Sequence, residues 1–358
     1  MESLTIELRP QLRSGYVYVQ LKPNRQISSI NICHEGDSMT AKIDEKELKL
    51  NLLPIEVNSS VTSLQFLDQW IIFRIQLSQS TLYDSSDLKN NKKTEVLTTG
   101  IDLPPAQKSF ELTCTGCKNS ITKNEVLFER VLSLPSEECE PSEWFCCSHS
   151  VVDYKNILCP RPNDCFYGSH YYVLNTKILK SELVTDYNEV TCNRCLSVLG
   201  AVNNDGSFRI WSHSLQFASS EDLGASAGQK KSPLIDFKLA LKEFVKKGNL
   251  YEEIHFFASE QEKKVSLLIK IMDKNLLMLT QSSVESSVEV MLDERCVIKV
   301  LYKVLDDGSE PLKDASNCSA YRLSLSSIHA AVDHLTTSSL KLPLIYRTTE
   351  TYCIGYIL

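Results

Sequence analysis

Residues 114–117 read CTGC and residues 192–195 read CNRC. Two residues between cysteines is the knuckle spacing that lets both thiolates point at one tetrahedral ion, and two knuckles complete a closed four-cysteine site. Cys114, Cys117, Cys192 and Cys195 are therefore read as the ligands of one structural zinc. The 74 residues between the pairs exceed the ~15–20 of compact zinc modules. Closing that stretch instead of one of about 17 residues costs about 1.3 kcal/mol more in loop entropy. Structural zinc contributes on the order of 10–16 kcal/mol in small peptides. The ion wins, so the insertion is tolerated and can be a module carried by the site. A redox CxxC, or four unrelated cysteines, leaves the matched pair unexplained.

Working outward, nine of the 13 cysteines fall from Cys114 to Cys195 inclusive. The start of the chain, MESLTIELRP, has no basic segment followed by an apolar one, and no apolar run approaches the ~20 residues of a membrane helix. The expected setting is the cytosol, with the nucleus as the alternative, and no membrane partner. In such a reducing compartment thiols serve as metal ligands, nucleophiles or small core residues rather than as disulfides. The net charge of -7 and pI near 5.6 supply no basic surface for phosphates, so direct nucleic-acid binding is not expected.

The fold class expected is α+β. Residues 1–83 alternate apolar and polar in LTIEL, YVYVQL, ISSINI and WIIFRIQL, an antiparallel β-rich domain. A charge-mixed linker covers 84–99, the cysteine-rich zinc module 100–217, and a Ser/Gly/Ala-rich linker 218–233. The remainder, 234–358, reads as a mixed α+β domain. Phe237, Leu241, Phe244 and Val245 make a helical stripe ended by Gly248. Ile328, Ala331, Val332 and Leu335 make another, and KVSLLIKI, NLLMLT, CVIKVLYKVL and TYCIGYIL read as strands. No internal repeat and no glycine-rich phosphate loop is present.

Between the knuckles lie EWFCCSH (143–149) and CPRPNDCFYG (159–168). Pro160 and Pro162 hold the chain extended and Asn163-Asp164 favour a turn, which would present Cys165 on a projecting loop. Cys146, Cys147, His149 and Cys165 are enough donors for a second zinc, although their spacing matches no standard ligand template. A nucleophilic role for Cys147 or Cys165 would need a neighbouring base or cation, for which His149 and Arg161 are available. Cys139 and Cys159 read as small buried residues. Trp144 reads as a packing anchor more often than a recognition residue. His213, His255 and His329 have no companions in sequence and read as structural.

CTGC, LSLPS…EW with its Cys-Cys and His, NDCFYG and CNRC, in that order over 114–195, resemble the HECT-like ubiquitin-ligase family that binds ubiquitin-conjugating enzymes. The resemblance implies two things. One is a ubiquitin ligase that accepts ubiquitin from a conjugating enzyme. The other is association with the metallo-β-lactamase endonuclease subunit of the pre-mRNA 3′-end cleavage and polyadenylation machinery, whose active site the chain would occupy and block. A thiolate is a softer and stronger zinc ligand than phosphate or water, so a Cys/His loop could plug a di-zinc nuclease. The partner-binding residues expected are Trp144, Cys146, Cys147, His149, Asn163, Asp164, Cys165 and Phe166. Catalytic HECT domains carry their thioester cysteine before an L-x-L-P stretch; in HLTTSSLKLPLIY (334–346) that position is Thr336. The catalytic residue is thus left unassigned, with Cys147 and Cys165 as candidates. The alternative reading is a non-catalytic zinc-stapled adaptor or assembly chaperone whose loop holds a second structural zinc.

Overall fold

The computed structural model describes residues 3–22, 30–35, 38–43, 46–51, 57–77, 100–135, 159–183, 188–218, 231–248, 252–260, 263–282, 293–305 and 318–357. These residues are β-rich, with two α-helices among them, α1 (Leu234–Lys247) and α2 (Leu325–Ser339). The α+β class fits, with one correction: the part after residue 233 is mostly strand. Its apolar runs are rich in β-branched residues and alternate, so period two prevails over the helical period. Both expected helices form where their stripes lie, and Gly248 ends α1 at φ 84. The 84–99 linker and most of 218–233 fall outside the described residues.

The chain divides into two compact units, each assembled from separated segments. Met1–Thr98, Ile271–Tyr302 and His334–Leu358 form one; Thr99–Lys270 and Lys303–Asp333 form the other. The units do not follow chain order because strand partners lie far apart. Within Lys263–Ser282, the first residues pair with Glu253–Glu260 and the last with Ser3–Arg9.

In the first unit the sheet runs Thr348–Thr349, Tyr352–Ile357, Asp293–Leu305 as far as Tyr302, Lys263–Ser282 from Ile271 onward, Ser3–Arg9, Ser14–Gln20, Trp70–Leu77, Val57–Leu67. Both faces of its centre are buried, which strand alternation makes possible. Leu4, Ile6, Leu8, Val17, Val19, Ile71, Phe73 and Ile75 pack on one side. Tyr18, Trp70, Ile72, Met278, Val297 and Tyr356 pack on the other. On that second side Glu7 has no exposed surface. Lys299 Nζ donates to both its carboxylate oxygens at 2.8 and 2.9 Å, and the Tyr356 hydroxyl donates to Oε1. Burial, followed by the Glu7 charge, raises the Tyr356 phenol well above its ordinary range, so it remains a donor.

The second unit holds the cysteine-rich region. Its six-stranded sheet runs Glu189–Thr191, Val198–Val202, Phe208–Trp211, Tyr171–Leu174, Asp164–Tyr167, Arg130–Ser133. The last pair is parallel and the others antiparallel. Glu111–Cys114 pairs separately with Leu215–Ala218. The core joins Phe110, Leu112, Ile121, Tyr172, Leu174, Val190, Leu199 and Ile210 with Cys114, Cys165 and Cys192. Gly200 is required where it stands, since a Cβ there would lie 1.9 Å from the Arg209 carbonyl oxygen.

A buried charge whose partner is removed typically costs about 3–5 kcal/mol, whereas replacing both partners is far cheaper. Lys299→Met is expected to destabilise by about that amount in denaturant unfolding, and Glu7→Gln/Lys299→Met to recover most of the loss, because the amide still accepts from Tyr356.

Candidate metal centre

Each knuckle grows from the end of a strand. Glu111–Cys114 delivers the first, and Glu189–Thr191, in a hairpin with Val198–Val202, delivers the second. The two turns are built alike. The Cys114 carbonyl accepts from Lys118 N at 2.8 Å while Cys114 N donates to the Asn119 carbonyl at 2.9 Å. In the second, the Cys192 carbonyl accepts from Leu196 N at 2.9 Å and Cys192 N donates to the Ser197 carbonyl at 3.0 Å. The residue after each pair, Lys118 and Leu196, is left-handed, at φ 61 and 59. Asn119 Nδ2 donates to Asn193 Oδ1 at 2.7 Å, tying one knuckle to the other.

This geometry brings the four sulfurs within 4.8 Å of one another. Cys114 Sγ lies 3.7 Å from Cys195 Sγ, and Cys117 Sγ 3.6 Å from Cys192 Sγ. A Zn–S bond of about 2.3 Å gives a regular tetrahedron edges of about 3.8 Å; a disulfide would need about 2.05 Å. The donor set therefore fits a closed zinc site, and the cysteines are free thiols. Burial pushes the Cys114 thiol up to about 12 and raises Cys117 as well. Burial also acts to raise Cys195, but hydrogen bonds from Ser197 and from neighbouring thiols bring it down to about 6. Four adjacent thiolates need a cation to exist together.

The first knuckle is anchored from behind. Thr115 N and Oγ1 donate to the carbonyls of Ser214 and His213 at 3.0 and 2.9 Å. That turn is fixed in turn by Asp236 in the first turn of α1, which has no exposed surface. Asp236 accepts from Ser212 Oγ at 2.5 Å, His213 N at 3.2 Å and His213 Nδ1 at 2.6 Å. His213 Nε2 lies 3.3 Å from both Ser214 Oγ and Ser326 Oγ. The histidine is structural, as expected, but with a carboxylate companion that sequence reading missed. The only signal was an acidic residue beginning a helical stripe 23 positions later.

Of the remaining expected site residues, Asp164, Cys165 and Phe166 lie in a strand rather than on a projecting loop. Trp144, Cys146, Cys147 and His149 lie outside the described residues. The turn ends at Asn163, whose exposed amide donates to Glu129 Oε1 at 3.0 Å. A strand then begins at Asp164, which is buried and takes the Arg130 guanidinium on both oxygens. Those bonds hold its carboxyl below the usual range. Cys165 and Phe166 follow within the strand, with 0% and 5% exposure. Cys165 is a core residue rather than a presented one, and burial pushes its thiol up to about 12. His255 sits against Ser266 Oγ at 2.8 Å, and Cys159 is half-buried.

Over residues 7–353 the sequence matches the family described as HECT-like ubiquitin-conjugating enzyme (E2)-binding. The chain belongs to this family. An E3 ubiquitin-protein ligase of Mus musculus is 28% identical over 179 residues, 49% of this chain and 46% of that protein. Its namesake in Rattus norvegicus is 25% identical over 207 residues, 57% of this chain and 51% of that protein. The chain thus spans about half the length of these curated relatives. No solved structure matches it. Among the described residues, no helix is long and apolar enough to cross a membrane.

Metal analysis of the purified chain is expected to return zinc bound through these four cysteines, and Cys114→Ser or Cys192→Ser to lose it along with the fold of the second unit. The raised thiols of Cys114 and Cys117 are protonated at neutral pH without metal, so zinc uptake releases at least those protons. Apparent affinity should therefore fall by about 100-fold or more for each pH unit of acidification, measured by chelator competition.

Proposed function

We propose that this chain is a HECT-like ubiquitin ligase that holds a ubiquitin-conjugating enzyme on a frame closed by one structural zinc, and that it works by positioning the loaded enzyme. The observation that carries this reading is the family match over residues 7–353. The chemistry of the thiols supports the positioning mode. Thr336 stands where catalytic HECT domains carry cysteine; it lies in α2, with Oγ1 3.3 Å from the Tyr302 hydroxyl. Three of the described cysteines outside the cluster, Cys159, Cys165 and Cys296, have thiols raised by burial. A nucleophilic cysteine needs the opposite shift. Mixing the chain with a ubiquitin-charged conjugating enzyme should speed ubiquitin transfer to lysine without a ubiquitin adduct on the chain. An adduct removed by dithiothreitol and abolished by Cys147→Ala would replace positioning with thioester catalysis.

A second activity belongs to the same reading: binding and blocking the active site of the metallo-β-lactamase endonuclease of pre-mRNA 3′-end cleavage, in the cytosol or nucleus. It is supported by the donor set of the insertion between the knuckles, where Cys146, Cys147 and His149 stand within four residues. Thiolate and imidazole are both good zinc ligands, and such a nuclease keeps open positions for water and phosphate. Cys146→Ala/Cys147→Ala should lower affinity for that nuclease by about ten-fold or more, since buried anchors dominate interfaces. Unchanged affinity in this variant and in His149→Ala would remove the loop from the interface. Two zinc ions per isolated chain would instead favour a second structural site.

A further inference from the structure

Glycine is the residue that takes up left-handed backbone without a steric cost, yet the second knuckle places Leu196 there, at φ 59. Its side chain is 73% exposed, more than any other large apolar residue among those described. Neither local folding nor core burial accounts for a leucine at this position. Its backbone N–H is bonded to the Cys192 carbonyl at 2.9 Å and its neighbour Cys195 belongs to the metal cluster. The side chain therefore projects from backbone with little freedom, and little ordering entropy remains to be lost on binding.

The charged residues of the two knuckles are all cationic. Arg194 is exposed, with Nη1 3.4 Å from the Cys117 carbonyl, and Lys118 is exposed, with Nζ 2.5 Å from Gln216 Oε1. Neither knuckle, CTGCKN (114–119) or CNRCLS (192–197), contains an acidic residue. An apolar knob with a cationic rim is complementary to an apolar hollow edged by carboxylates. We propose that Leu196, flanked by Lys118 and Arg194, is a docking point for the ubiquitin-conjugating enzyme, whose contacting face carries such a hollow. This rests on the reading above that the chain holds a conjugating enzyme, and adds where it is held and by what chemistry.

The test measures binding of the full chain to a panel of purified conjugating enzymes. Leu196→Gly removes the knob and relieves the left-handed backbone. It should keep its zinc and match or exceed the parent in thermal stability, yet bind about ten-fold or more weakly, as when an interface anchor is truncated. Lys118→Glu/Arg194→Glu should also weaken binding, and raising salt should weaken the parent more than this variant. Equal affinity of parent and Leu196→Gly, with zinc retained in both, overturns the docking point and leaves conjugating-enzyme binding intact. Binding lost only together with zinc would make the knuckle a support and overturn the docking role of Leu196. A parent chain that binds no member of the panel overturns the proposal and the underlying reading together.

Discussion

Four sulfurs within 4.8 Å of one another set the condition on which the cysteine-rich unit depends. Thiols that close cannot all ionise in a partly buried setting unless a cation balances them. The two knuckles that carry them are 74 residues apart in sequence, and the strands that deliver them share no ladder with each other. The four-cysteine cluster is thus a long-range connection between two strands that no ladder joins. It closes most of the module into a loop, including the parallel pair Arg130–Ser133 with Asp164–Tyr167. Asp236 extends the same connection backward, because the turn it fixes also receives the first knuckle.

Both units place charge in their interiors and satisfy it differently. Glu7 is matched by Lys299 and the Tyr356 phenol across the sheet, with the Arg9 guanidinium 3.6 Å away on its own strand, an arrangement that tolerates loss of the lysine poorly. Asp236 takes hydroxyl, amide and imidazole donors from the single turn Ser212–His213, so its charge is spread over several hydrogen bonds. The first holds one cross-strand register; the second sets the angle at which a helix meets a turn. Neither group faces the solvent, so both act on function through the positions of other residues.

Much of this was legible in the residues. Period-two alternation in LTIEL and WIIFRIQL gave strands, and the stripes of Phe237 and Ile328 gave helices, because each pattern buries one face only in its own period. The knuckles were legible because ligand spacing is a strict geometric demand. Cys165 was misplaced by a small margin. Pro160, Pro162 and Asn163 do make a turn, with Asp164 N bonded to the Arg161 carbonyl at 2.9 Å. The strand begins one residue later, and alternation then turns Cys165 into the core. The pairing of Asp236 with His213 and of Ser3 with Ser282 could not be read, since partners remote in sequence leave no periodic trace. The same holds for the division of the C-terminal strands between two units.

That division bears on how the protein is made. Ser3–Arg9 pairs with residues 277–282, and Tyr352–Ile357 closes onto Asp293–Leu305. At about 5–20 residues per second of synthesis, Ser3–Arg9 waits roughly a quarter of a minute to a minute for residues 277–282, its partner on that side. During that time an apolar edge stands open beside the Ser14–Gln20 hairpin arm, the kind of surface that aggregates or recruits chaperones. Pairings as remote as Ser3–Arg9 with 277–282 slow the folding of this unit. Cellular abundance should therefore respond to translation speed and chaperone supply as strongly as to the stability of the finished fold.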